Sequence, residues 1–107
     1  SLVFFNRVFS HAIRKMASEN EFRIHAEYGG TRNSVQASHS SLDYSERILK
    51  DLPMKLLYAR VDLVETPRGP RLIELELTDP MLYLASDPTA AERFADAVAT
   101  HCLTSTL

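Results

Sequence analysis

With one cysteine in 107 residues, Cys102, the chain cannot close an internal disulfide, and the reducing cytoplasm is the compartment expected. Long apolar runs are missing as well. None approaches the roughly eighteen residues that cross a bilayer. The opening Ser1-Leu2-Val3-Phe4-Phe5 lacks the charged flank and the length of a secretory signal, so no membrane partner is expected. Nor is there an excess of positive charge: twelve basic against fourteen acidic side chains leave a net charge of -2. That supplies no broad field for nucleic acid, and any phosphate recognition must be local. The four histidines, His11, His25, His39 and His101, are scattered and stand near no cysteine pair, which argues against zinc. Ser10 and the other serines sit in no nucleophile motif, and neither internal repeats nor low-complexity segments occur.

What is present has the balance of an ordinary soluble domain, 45% apolar and 24% charged. The length suffices for one compact core and not for two. Ser1 opens inside a β-rich run without an initiator methionine, so residues 1–107 read as a portion of a larger domain. Leu2 to Phe5 and Val8 to Ile13 are β-branched and aromatic runs around the pair Asn6-Arg7, a hairpin pattern. A polar break from Met16 to Glu21 precedes strict alternation from Phe22 to Tyr28, a half-buried strand ended by Gly29-Gly30. Within the polar stretch Thr31 to Ser41, Val35 belongs to a short strand. Ser40 or Ser41 then caps a helix running to about Leu52, with Leu42, Leu49 and Leu52 on one side, and Pro53 closes it.

Lys55 to Glu65 and Arg71 to Leu77 are two further strands, antiparallel neighbours joined by the turn-rich Thr66-Pro67-Arg68-Gly69-Pro70. Asp87-Pro88 starts a last helix, whose apolar side is Ala91, Phe94, Ala95, Val98 and Cys102, with Cys102 packed. The order of elements predicts an α+β fold: a largely antiparallel sheet with two helices packed on one face.

The hairpin carries the chemistry. Leu57, Ala59, Val61 and Leu63 share one face of the first strand, and Tyr58, Arg60, Asp62 and Val64 the other. On the partner, Ile73, Leu75 and Leu77 are apolar while Leu72, Glu74 and Glu76 share the opposite face. A linker folded symmetrically about Arg68 sets Asp62 opposite Glu74 and Arg60 opposite Glu76. Like charges so placed repel. A divalent cation offsets that repulsion, since magnesium is commonly held by one or two carboxylates together with substrate phosphates. The same pattern also fits a solvated sheet face on which Arg60 balances part of the charge.

Taken together, Tyr58-Ala-Arg-Val-Asp62-Leu-Val64, then Leu72-Ile-Glu-Leu-Glu76-Leu77 and Pro80, resemble the end of an ATP-grasp domain. Upstream, Phe9 to Lys15, Phe22-Arg23, His25 and Gly29-Gly30 resemble a segment of glutathione-synthetase-like and ribosomal-protein glutamate-ligase-like members. The Arg-x-Asp and Glu-Leu-Glu-Leu strands are most similar to the bacterial branch that includes the cycloserine-forming cyclo-ligase. The resemblance implies that this is the C-terminal portion of such a domain, with the N-terminal part absent, and that the isolated chain is inactive. It implies ATP with magnesium, or manganese in its place, as cofactors: Asp62, Glu74 and Glu76 as metal ligands, with Glu76 where Asn is commoner, and Ile73 and Lys15 at the nucleotide. Lys15 and Arg23 take catalytic roles on the transferring phosphoryl group, and Arg60 meets a substrate carboxylate. The reaction implied joins a small-molecule carboxylate to an amine through an acyl-phosphate.

Residue by residue, simpler readings stand beside these. Lys15 and Arg23 fit exposed strand positions, Arg60 fits pairing with Glu76 or orienting Asp62, and Gly29-Gly30 fits a plain turn. A non-catalytic α+β module that binds a protein partner is the alternative function. Substrate identity and oligomeric state are not encoded in these residues.

Overall fold

A computed structural model describes residues 1–16, 31–78 and 80–104. Its elements are β1 (Leu2–Phe5), β2 (Val8–Met16), β3 (Thr31–Val35), α1 (His39–Lys50), β4 (Tyr58–Thr66), β5 (Gly69–Glu76), a 3-10 turn at Leu84–Ser86 and α2 (Ala90–Thr104). The five strands form one sheet in the order β3-β2-β1-β4-β5, and every neighbouring pair is antiparallel. The α+β class and the antiparallel sheet expected from the sequence are therefore present. The strand expected at 22–28 lies outside the described residues.

The β1–β2 hairpin turns on Asn6 and Arg7, both at positive φ (49° and 67°), as a two-residue hairpin loop whose twist matches its strands requires. Asn tolerates that conformation better than Arg does. Arg7 instead anchors the turn: its guanidinium donates to the carbonyls of Leu49, Leu52 and Met54, at and just beyond the C-terminal end of α1. Asn6 ties the same turn to the far side of the molecule, donating from Nδ2 to the Ala97 carbonyl at 3.1 Å.

The helix cap is Ser38 rather than Ser40 or Ser41, with its Oγ accepting from the Ser41 amide at 3.2 Å. Ser41 is buried in the first turn, and its hydroxyl is spent on Glu65 Oε1 at 2.7 Å. The helix α2 begins at Ala90, later than the expected start at Asp87-Pro88; Asp87 lies in the turn before it, where its Oδ1 accepts from the Thr89 amide at 2.9 Å. The buried stripe of α2 is rotated from the expected one. Ala90 and Ala97 are buried with Phe94 beside them, whereas Cys102 is exposed instead of packed. Small side chains at those two positions let the helix approach the sheet closely.

The two helices lie on opposite faces of the sheet, not on one. Leu2, Phe4, Ala12, Ala59 and Val61 point to the α1 side and pack with Leu49. Val3 and Phe5, the alternate residues of β1, point to the α2 side and pack with Ala97 and Phe94. Among the described residues, no helix is long and apolar enough to cross a membrane.

Candidate functional site

β4 and β5 are joined by a two-residue turn, Pro67-Arg68, tighter than the five-residue linker expected. Gly69 follows it at φ +103°, a conformation side chains disfavour, and Thr66 Oγ1 donates to the Gly69 carbonyl at 2.6 Å. A turn of that length pairs Leu63 with Leu72, one position out of step with a centre at Arg68. The register then shifts between Asp62 and Leu63, leaving Ile73 as an extra residue in β5. Beyond the bulge Asp62 stands opposite Glu74 and Arg60 opposite Glu76, the pairing expected, reached by a turn plus a bulge instead of a symmetric loop. The bulge also removes Ile73 from the core side: it is 65% exposed.

Arg60 and Asp62 point to the α2 face and are both buried, at 8% and 9% exposure. They form a forked pair, Nε to Oδ1 at 3.0 Å and Nη2 to Oδ2 at 2.9 Å. Arg60 Nη1 donates to the Met81 carbonyl at 3.2 Å, its guanidinium lies 5.6 Å from the Tyr83 ring centre, and Nη2 is 3.8 Å from Glu74 Oε2. Burial works against the Arg60 charge, but the hydrogen bonds and charge of Asp62 outweigh it and hold the guanidinium more firmly protonated than usual. Of the roles open to Arg60 in the sequence, orienting Asp62 is the one this geometry supports.

Glu74 and Glu76 project from the same face of β5. A hydrogen bond with Glu76, followed by the Glu76 charge, pushes the Glu74 carboxyl above its ordinary value. The carboxylates are thus split: Asp62 is claimed by Arg60, and Glu74 and Glu76 face one another. Among the described residues, no group of three or more His, Cys, Asp or Glu side chains forms a ready metal-binding set. Lys15 is placed by its backbone in β2, opposite Arg32. Arg23, His25 and Gly29-Gly30 lie outside the described residues.

A second polar cluster went unread in the sequence. His11 is buried, with Nδ1 at 2.7 Å from Ser10 Oγ and Nε2 at 2.8 Å from the Leu82 carbonyl. Burial lowers its pKa, against the raising effect of that carbonyl. In the neutral ring Nε2–H donates to Leu82, so Nδ1 accepts the Ser10 hydroxyl proton. Ser10 Oγ accepts in turn from Arg93 Nε at 2.9 Å, and Arg93 Nη2 is 3.1 Å from Asp87 Oδ1. Neighbouring strand residues normally face opposite sides; here the β1–β2 register shifts so that Ser10 is a bulge residue, which lets its side chain meet His11. No residue pattern announces that bulge. The cluster fixes the segment after β5, whose Met81 and Tyr83 enclose Arg60.

No family model matches the chain. A protein named "Probable alpha-L-glutamate ligase" from Xanthomonas campestris pv. campestris is 33% identical over 67 residues, covering 63% of this chain and 22% of that protein. "Cycloserine biosynthesis protein DcsG" from Streptomyces lavendulae is 35% identical over 109 residues, covering 92% of this chain and 36% of that protein. The crystal structure of D-cycloserine synthetase DcsG superposes with a TM-score of 0.77 at 31% identity, over 94% of this chain and 36% of that one. The likeness to ligases of the cycloserine-forming branch, read from the Arg60-x-Asp62 and Glu74-Leu-Glu76-Leu strands, is borne out. The chain spans between a fifth and two fifths of the length of these relatives, 22% in one case and 36% in the other.

Proposed function

We propose that residues 1–107 are the C-terminal, Mg·ATP-binding portion of an ATP-dependent carboxylate–amine ligase, or cyclo-ligase, that works through an acyl-phosphate in the cytoplasm. The observation that carries this reading is the placement of Asp62, Glu74 and Glu76 on one face of the paired strands β4–β5, in a fold matched at TM-score 0.77 to a ligase. The donors suit a hard divalent cation. Glu74 and Glu76 are oxygen ligands; their hydrogen bond, and after it the charge of Glu76, raise Glu74, and a cation would relieve the repulsion between them.

Glu74 and Glu76, with Asp62 across the strand pair, would hold the magnesium. Once bound, the ion supplies charge neutralisation at the phosphate oxygens. Ile73, bulged outward beside Glu74, offers an apolar contact to the nucleotide. Arg60 aims Asp62 through its forked pair. Lys15 and Arg23 stabilise the transferring phosphoryl group. In the reaction the γ-phosphoryl group passes from ATP to an oxygen of the acid and releases ADP. The amine nitrogen then attacks the carbonyl carbon, the C–O bond to phosphate breaks, and the amine loses a proton to solvent.

In the complete ligase, Asp62→Ala or Glu74→Ala should lower Mg·ATP affinity about tenfold or more, each missing ligand costing at least ~1.4 kcal/mol. Isothermal titration with a non-hydrolysable ATP analogue measures this. Affinity and turnover unchanged in both variants would overturn the assignment.

A further inference from the structure

Arg60 of β4 and His11 of β2 stand in one row across the sheet, on either side of Val3 of β1. Two inter-strand spacings, roughly 9.5 Å, separate them. Val3 fills the space between and is fully buried, so any link between the two polar residues passes over it. The segment after β5 makes that crossing. Its consecutive carbonyls go to opposite strands: Met81 accepts from Arg60 Nη1 at 3.2 Å and Leu82 from His11 Nε2 at 2.8 Å, while the Leu82 side chain packs on the Val3 cluster. Tyr83 comes next at φ 53° and ψ 45°, the left-handed region that a bulky side chain avoids. Such a conformation persists where its surroundings impose it. His11 holds the preceding carbonyl, and the Tyr83 carbonyl itself accepts from the Ser86 amide at 3.1 Å and the Ser86 hydroxyl at 2.6 Å. With the backbone so bent, the Tyr83 ring lies over Arg60.

We propose that His11 is a positioning residue of the metal site: by holding the Leu82 carbonyl it sets Met81 and Tyr83 against Arg60, and through Arg60 it aims the Asp62 carboxylate. This rests on the ligase reading, in which Asp62 is a metal ligand. A ligating carboxylate is oriented by hydrogen-bonded groups behind it, and losing such a group costs about 10–100-fold in metal affinity. Arg60 is that group for both Asp62 oxygens. An arginine side chain is itself rich in rotamers, and the Met81 carbonyl and the Tyr83 ring are what hold its far end. The groups behind His11 serve the same purpose. Ser10 Oγ, fixed by Arg93 Nε at 2.9 Å, engages Nδ1 at 2.7 Å and so sets the ring with Nε2 toward Leu82.

The test uses the complete ligase and two variants of one chemistry. The Gln amide reaches about as far as the ring Nε2, so His11→Gln keeps a donor for Leu82. The Asn amide stops near the place of Nδ1, so His11→Asn meets Ser10 and falls short of Leu82. The first readout needs no ligand: the Arg60 Nε–H signal in nuclear magnetic resonance. His11→Asn should speed its exchange with solvent about tenfold or more, and His11→Gln should leave it within about twofold. The second is binding of manganese alone, followed by the electron paramagnetic resonance of the free ion. Its dissociation constant should rise about tenfold in His11→Asn, the low end for a group behind a metal ligand, and stay within about threefold in His11→Gln. Tyr83→Leu leaves the buried cluster whole and takes the ring from Arg60; if His11→Asn does not fold, it carries both readouts with the same results expected. An unchanged Arg60 signal would overturn the proposal, as would equal losses in His11→Asn and His11→Gln. A faster-exchanging Arg60 with unchanged manganese affinity, while Asp62→Ala weakens the metal, would overturn it too. Manganese affinity unaffected by Asp62→Ala would instead remove Asp62 from the ligand set, and the role of His11 with it.

Discussion

At the residue scale, the site is a balance among three carboxylates and one guanidinium, and the two halves of that balance behave differently. Asp62 and Arg60 are buried and depend on each other. Arg60→Leu removes the forked partner of a buried carboxylate and should cost about 3–5 kcal/mol. Adding Asp62→Asn should recover part of that loss, a non-additivity that urea denaturation of the two single variants and the double variant measures. Glu74 and Glu76 are solvent-facing, so their coupling shows in pH dependence rather than in a large stability term. The Glu74 pKa is raised above 4.5 by Glu76, so the native state binds that proton more tightly than the unfolded chain does. The stabilisation is complete below the ordinary carboxylate value and is lost as pH rises through the raised one. Glu76→Gln should flatten the fall of the urea midpoint above pH 4.5. The same variant should also shrink the gain in melting temperature that magnesium confers at neutral pH. An unaltered pH profile would show that the two side chains do not interact.

Among the elements, the β4–β5 hairpin separates what a sequence reveals from what it hides. Alternation of apolar and charged residues identified both strands, and the facing of Asp62 and Glu74 followed from counting. The turn and the bulge escaped that count because each moves the register by one residue in opposite senses, leaving the far pairing unchanged. What the count misassigned was Ile73, placed with the core by strict alternation and in fact displaced outward. Deleting Ile73 removes the bulge and still sets Asp62 opposite Glu74, because the two-residue turn alone then gives that pairing. The deletion should therefore keep magnesium affinity within about twofold while weakening ATP by roughly tenfold, the scale of one lost apolar contact of about 1.5 kcal/mol. Loss of both together would mean that the bulge positions the carboxylates.

Across the whole molecule, amphipathic spacing located α1 and α2 but not the sheet face each one covers, because a stripe says which side of a helix is buried and nothing about where the chain crosses. β1 decides it: Leu2 and Phe4 face α1 while Val3 and Phe5 face α2, so one short strand is the centre of both cores. The segment joining β5 to α2 is then held from two strands at once, its Met81 carbonyl by Arg60 of β4 and its Leu82 carbonyl by His11 of β2. The anchoring through His11 needs a neutral ring, since Nδ1 must accept from Ser10, whose oxygen also accepts from Arg93. Burial, and to a lesser degree the Arg93 charge, lower the His11 pKa, while Asp87 opposes them. A depressed value means that the unfolded chain takes up a proton the native chain refuses, so the His11 contribution is full above pH 6.5 and is lost as pH falls below it. His11→Gln replaces the ring by an amide that cannot take up this proton, and should flatten the decline in melting temperature between about pH 6.5 and 5 even if it lowers stability throughout. Arg93→Gln removes a charge that disfavours His11 protonation, which brings the native His11 pKa back toward its ordinary value and should shrink the same decline. A decline that kept its slope in His11→Gln would assign the acid sensitivity to other groups and leave the Leu82 carbonyl as a purely structural acceptor.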